Sequence, residues 1–182
     1  MPTPQSFSRA AVSYTQRVLG TIPSNHIVER IRTFGGSTSC VAGLRAQIGP
    51  NMSRDRIMNL RRMAGAAKAR HCGNCGEYAA VVFDYLMLGH CPYPIEYAGY
   101  VSPGDHAFVI INRPVLSDAA DPSTWGSSTV VADAWAGATV ESADYWTGMP
   151  QYPSEVHAPE IVLRYWPVGD FPQSGGGAAR AA

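Results

Sequence analysis

Apolar positions recur with two periods along this chain, and the change falls at Gly89. Before it the spacing is helical. Phe7, Ala10, Ala11, Tyr14 and Val18 predict a helix over Ser6–Leu19, which Gly20 stops. Ser24–Phe34 predicts a second, with Ser24 as N-cap and Gly35-Gly36 as terminator. A short helix is expected over Ser39–Ile48. Another begins at Ser53, with Ile57, Leu60 and Met63 as its inward stripe. The central helix is expected over Asn74–Leu88, where Ala79, Val82, Phe83 and Leu86 repeat at i, i+3, i+4 and i+7.

After Gly89 the apolar runs are short and strand-like: Ile95–Val101, His106–Ile111, Val130–Ala134 and Ile161–Trp166, divided by Pro, Gly, Ser and Asp. Helices first and strands afterwards predict an α+β fold, with an antiparallel sheet packed on the central helix. Residues 112–128 read as a polar surface loop. Gln173–Ala182, ending Gly-Gly-Gly-Ala-Ala-Arg-Ala-Ala, reads as a flexible tail. One domain is expected over 1–172, with a helical subregion (1–70) and a core (71–172), followed by the tail (173–182).

Composition narrows the function classes. The chain has 182 residues, 46% hydrophobic and 15% charged, enough for a globular core without staples. Formal net charge is zero, so there is no electrostatic case for nucleic acid or an anionic membrane. No apolar run approaches the ~20 residues of a membrane span, and Met1–Ser13 lacks the apolar core of a Sec signal peptide. Lys68 is the only lysine beside 13 arginines, as in a GC-rich bacterial genome; an effector avoiding ubiquitination is the rarer reading. Cysteines stand at 40, 72, 75 and 91. Their uneven spacing and the size of the domain predict reduced thiols.

Chemistry concentrates in three places. Cys75 lies in His71-Cys72-Gly73-Asn74-Cys75-Gly76-Glu77-Tyr78-Ala79-Ala80, where a Gly-rich turn enters the central helix. His106 opens the run Ala107-Phe108-Val109-Ile110-Ile111, and Asp133 ends Val130-Val131-Ala132. A helix N-terminus and an imidazolium together favour the thiolate, which is the nucleophile. His106 fits the general base and acid, and Asp133 the group that holds the imidazole tautomer. Gly73 and Gly76 leave the backbone open to substrate, and Asn74 and the N–H of Gly76 are candidate oxyanion donors. Trp135 is expected either to shield the His-Asp pair or to serve the core.

Other readings compete for the same residues. His71, Cys72, Cys75, His90 and Cys91 contain a Cys-x2-Cys, but Cys75 and Cys91 would lie ~20 Å apart along the central helix, too far for one zinc ion. No metal and no cofactor is expected. Cys72-x2-Cys75 resembles a redox pair without the surrounding βαβ pattern. Cys72 is the alternative nucleophile; the alanine four residues on, Ala79, fits Cys75 better. Glu77 reads as a surface helix position or a supporting acid. Arg54, Arg56, Arg61 and Arg62 form a solvated face or a surface for an acidic partner, as in a non-catalytic interaction module.

Gly73-Asn74-Cys75-Gly76-Glu77-Tyr78-Ala79, then Asp105-His106-Ala107-Phe108, then Asp133-Ala134-Trp135 resembles the papain-like and transglutaminase-like cysteine-enzyme superfamily. Within it the chain looks most like bacterial effectors and toxins that act as proteases or glutamine/asparagine deamidases, with Rho-inactivating deamidases of the TecA type as candidate relatives. The resemblance covers about residues 71–135. It implies Cys75, His106 and Asp133 as catalytic residues and Asn74, Gly76 and Trp135 as oxyanion or positioning residues. It also implies a protein substrate such as a host GTPase or signalling protein, and delivery into a host cytosol by a specialised secretion system. The papain branch carries a Gln several residues before its Cys, and none stands between Asn59 and Cys75. That departure favours the transglutaminase-like or deamidase branch.

Overall fold

Helix α1 spans Pro4–Leu19 in the computed structural model, which describes residues 2–20, 22–23, 36–49, 53–100, 104–150 and 155–167. The expected Ser24–Phe34 helix and the 173–182 tail lie outside the described residues. Thr3 caps α1, its hydroxyl accepting from the Ser6 N–H at 3.2 Å, and Pro4 occupies the first turn where its missing N–H costs nothing. Helix α2 is Gly36–Ile48 and α3 is Arg56–Arg70, capped by Asp55, which accepts from Met58 N–H at 3.1 Å. The helix therefore begins three residues later than the expected Ser53, which lies in the turn before the Asp55 cap. His71 ends α3 in the left-handed region (φ 51°), its ring held by the Val18 carbonyl at 2.7 Å. Helix α4, Cys75–Leu88, follows after a four-residue link, so it runs back antiparallel beside α3.

Five strands follow: β1 Ile95–Tyr100, β2 Ala107–Ile111, β3 Val130–Asp133, β4 Ala138–Glu141 and, after the short helix α5 (Tyr145–Gly148), β5 Pro159–Tyr165. They form one antiparallel sheet in the order β4-β3-β2-β1-β5. The fold is α+β, with helices first and the sheet packed on α1 and α4. Strand β4 has no counterpart among the sequence expectations; its Ala-Thr-Val-Glu is short, and only Val140 of the four is buried.

Both faces of the sheet are covered. Val109, Ile111, Val130 and Ala132 point at the helices, while the alternate residues Phe108, Ile110 and Val131 pack on Trp125, Tyr145 and Met149. Two-sided burial explains why β2 and β3 read as unbroken apolar runs. It also corrects the expectation of a wholly surface loop over 112–128. Trp125 is fully buried, its indole N–H donating to the Asp118 carbonyl at 2.8 Å. Arg113 is buried in a fork with Glu96 (2.7 and 2.8 Å), and Arg164 of β5 binds the same carboxylate. A carboxylate with 1% exposure is tolerable inside a sheet only with such partners.

The expectation of four reduced thiols is corrected. Cys40 on α2 and Cys72 before α4 form a disulfide, leaving Cys75 and Cys91 free. Packing of α2 on α3 brings together two cysteines 32 residues apart, a proximity that spacing alone does not reveal. Closing a loop of that length removes denatured-state entropy worth about 3–4 kcal/mol. Cys40→Ser should lower the unfolding free energy by about that amount, and dithiothreitol should do the same to the wild type but not to the variant, in urea titrations followed by tryptophan fluorescence.

Candidate active site

The geometry begins with strand register. Val109 pairs with Ala132, and continuing that register sets Asp133 opposite Phe108. His106, two residues before Phe108, is then the diagonal neighbour of Asp133 on the same face, within reach for long side chains. Its Nε2 lies 2.6 Å from Asp133 Oδ2, and both side chains are fully buried. The other carboxylate oxygen, Oδ1, accepts from the Ala136 N–H at 3.1 Å, so the turn after β3 fixes its rotation. Aromatic rings close the surroundings: Trp135 stands edge-on to the imidazole at 5.2 Å between centroids, Tyr100 lies at 5.3 Å and Phe108 at 5.9 Å. Trp135 packs on the His106 ring and is also a member of the buried core.

The sheet provides a close approach at one glycine. A Cβ on Gly99 would stand 2.9 Å from the His106 carbonyl, inside contact distance, so the β1 backbone passes His106 only because residue 99 lacks a side chain.

Cys75 is the first residue of α4 and half-buried. The ring atom left for it is His106 Nδ1, which is buried and has no hydrogen bond of ordinary geometry. Burial alone would lower the His106 pKa. The Asp133 carboxylate, and after it the Cys75 sulfur, outweigh burial and raise it from 6.5 to about 9. The structure therefore brings Cys75, His106 and Asp133 into one cluster.

The helix start that carries Cys75 is fixed by residues the sequence reading undervalued. Glu77 is not a surface position: it is 1% exposed. Its Oε2 accepts from the Asn74 N–H at 2.8 Å, and Arg45 of α2 grips both oxygens at 2.9 and 3.2 Å. The matching contact from the Glu77 N–H to Asn74 Oδ1 falls short of hydrogen-bond geometry, leaving Oδ1 buried without a partner. Asn-x-x-Glu at a helix start is a capping-box signature, the signal that marks Glu77 as built in. Nothing local marks Arg45, whose partner is 32 residues away.

Arg45 also feels the Cys75 sulfur and the exposed Asp105 carboxylate, so its guanidinium lies within electrostatic reach of Cys75. Tyr97 donates to the Gly76 carbonyl at 3.3 Å. Burial, with Cys75 and Glu77 nearby, pushes its hydroxyl pKa up, so it remains a neutral donor.

The expectation that both glycines leave room for substrate is corrected for one of them. Gly73 is buried, and a Cβ there would stand 2.6 Å from that of Glu77; the residue is needed for packing under the helix start. Gly76 is half-buried, and a Cβ there would stand 3.4 Å from the Tyr97 hydroxyl. Cys72, the alternative nucleophile and redox partner, is committed to Cys40. Among the described residues no three His, Cys, Asp or Glu side chains converge as a metal cage, and no helix is long and apolar enough to cross a membrane. Burial raises the thiol pKa of Cys91, the other free cysteine, against a partly offsetting backbone hydrogen bond from Tyr93.

No protein-family model matches the chain, and no curated protein matches it.

His106 has a higher pKa folded than unfolded, so the folded state binds its proton more tightly. The resulting stabilisation is complete below about pH 6.5 and is lost as pH rises through about 9. Urea midpoints should therefore fall between pH 7 and pH 9.5. In Asp133→Asn the NMR titration of His106 should move to lower pH, and the alkaline fall in midpoint should shrink. A titration unmoved by that substitution contradicts the assignment.

Glu77→Gln should cost about 1–3 kcal/mol, the usual range for weakening a buried charged hydrogen-bond set. Under native conditions it should also alter the alkylation rate of Cys75 by iodoacetamide, measured by mass spectrometry.

Proposed function

We propose that this chain is a cysteine hydrolase that attacks an amide carbonyl of a protein substrate through a thioester. The observation that carries the reading is the buried imidazole bonded to Asp133 through Nε2, with Nδ1 left to Cys75. A ring with a pKa of about 9 holds its proton at neutral pH, as the cation partner of a thiolate. The Cys75 sulfur adds to the carbonyl carbon. The tetrahedral oxyanion is met by N–H groups at the start of α4, with the Asn74 side chain beside them. The C–N bond then breaks as His106 gives its proton to the leaving nitrogen. Water, deprotonated by the now neutral ring, attacks the thioester, a carboxylate is released and the thiolate returns.

We favour side-chain deamidation of a glutamine or asparagine, in which the leaving group is ammonia, by a bacterial effector or toxin. The missing upstream glutamine supports this over a papain-type protease. A host GTPase or signalling protein is the substrate class that the resemblance suggests. The Cys40–Cys72 disulfide supports a chain that meets an oxidising compartment at some stage.

Host-cell proteins exposed to wild type and to Cys75→Ala, compared by mass spectrometry, test the reaction. A gain of about one dalton at Gln or Asn in the wild-type sample alone is expected, from exchange of an amide NH2 for OH. New protein termini would make the chain a protease instead. A folded wild type and Cys75→Ala with the same cellular effect and no modified target would make it a binding module.

On an identified substrate, kcat/KM should fall as pH rises through about 9, where His106 loses its proton. Asp133→Asn should reduce kcat about 100-fold or more and move that limb to lower pH.

A further inference from the structure

The arginines of α3 take no part in the chemistry proposed for Cys75, yet they line several hollows of the described surface. Helix α3 carries Arg56, Arg61, Arg62, Lys68 and Arg70 and no acidic residue. The chain as a whole is neutral, so its other 9 cations face all 14 acids. Charge is thus segregated onto one helix. Arg54, Arg56, Arg61 and Arg62 fall within nine residues and all are exposed, with only Asp55 among them, and that carboxylate is occupied as the helix cap.

Three cavities adjoin this helix. One of about 420 Å³ lies between α3 and α4, against Ile57, Met58, Arg61, Lys68 and Leu88. A second of about 560 Å³ shares Arg61 and Leu88 and extends to His90, Pro92 and Tyr165. A third of about 470 Å³ shares Arg62 and reaches Ile48 on α2. Shared walls make them one groove system. Apolar side chains line it among the charged ones, and two large ones stand open, Met58 at 44% and Leu88 at 53% exposure. Asp84 on the floor is buried and paired with Lys68 (2.8 Å) and Arg61 (3.4 Å), so it leaves little free negative charge to repel an acidic ligand.

We propose that this groove docks an acidic, amphipathic helical segment of a protein partner, with carboxylates on the arginine rim and apolar side chains over Met58 and Leu88. The alternation of cations with apolar hollows selects a peptide: a phosphate backbone would leave the hollows unused, and a lipid surface does not fill a concave groove. Leu88 lies at the far end of α4 from Cys75, ~20 Å away at ~1.5 Å per residue. The surface is therefore an exosite, separate from the candidate active site, and its occupancy does not depend on the thiol.

Fluorescence anisotropy on the full chain tests this with a labelled 14-residue helical peptide bearing Glu on one face and Leu and Phe on the other. Three comparison peptides carry Lys for Glu, Ser for the apolar residues, or both. Micromolar binding is expected for the first peptide alone, weakening as salt is raised. Arg61→Glu with Arg62→Glu should weaken it at least about tenfold, and Leu88→Glu, at an exposed helix end where misfolding is not expected, about as much. Cys75→Ala should bind as wild type does, which separates this proposal from the catalytic one. Equal binding of the Ser-for-apolar peptide, indifference to Leu88→Glu, or tighter binding of single-stranded RNA or of phosphatidylserine vesicles would each overturn it.

Discussion

The buried contact between His106 and Asp133 is the interaction on which the rest of this site depends. An imidazolium and a carboxylate, both without solvent exposure, are costly to remove from water. They are tolerable together because the carboxylate is satisfied twice, by the ring and by the Ala136 N–H, and because aromatic edges surround the ring. The contact needs β2 and β3 in one register. A slip of one strand by one residue would send one of the two side chains to the other face and part the pair. Apolar packing on both sides of the sheet is what makes that register unambiguous, so core and candidate chemistry are one constraint.

The other half of the site is a helix end that must not fray. The first turn of a helix has unpaired N–H groups, and these make it useful beside an oxyanion and also make it loose. Here Glu77 ties the Asn74 N–H, Arg45 ties Glu77 to α2, Tyr97 ties the Gly76 carbonyl to β1, and the Cys40–Cys72 disulfide ties the preceding link to α2 again. Four anchors from three elements converge within five residues of Cys75. Pre-positioning of this kind is what a nucleophile requires, since the geometry has to exist before a substrate arrives.

Much of this was legible in the chain. Helical spacing located α1, α3 and α4 to within a few residues, and the apolar runs located four strands of five, because each rests on local periodicity. Cys75, His106 and Asp133 were legible as a set because each stands at an element boundary that periodicity defines. What was hidden is non-local. Arg45 meets Glu77, and Cys40 meets Cys72, only after α2 has docked, and no pattern within either segment encodes that docking. Strand β4 was missed because an edge strand of four residues with one buried side chain has almost no signal. Glu77 was misjudged for another reason: a glutamate in an apolar helix is usually solvated, and its burial is affordable only with a cation supplied from elsewhere.

The disulfide and the free thiol make opposite demands on the surroundings. Cys72 and Cys75 are three residues apart, and in an oxidising medium two neighbouring thiols can close on each other and silence a nucleophile. Pairing Cys72 with Cys40 removes that competitor and leaves Cys75 without a partner on its own turn. The same bond holds α2 in place, and α2 carries Arg45. One covalent link thus protects the sulfur from its nearest rival and stiffens the clamp that orients it. In a reducing medium the bond would open and both effects would lapse together.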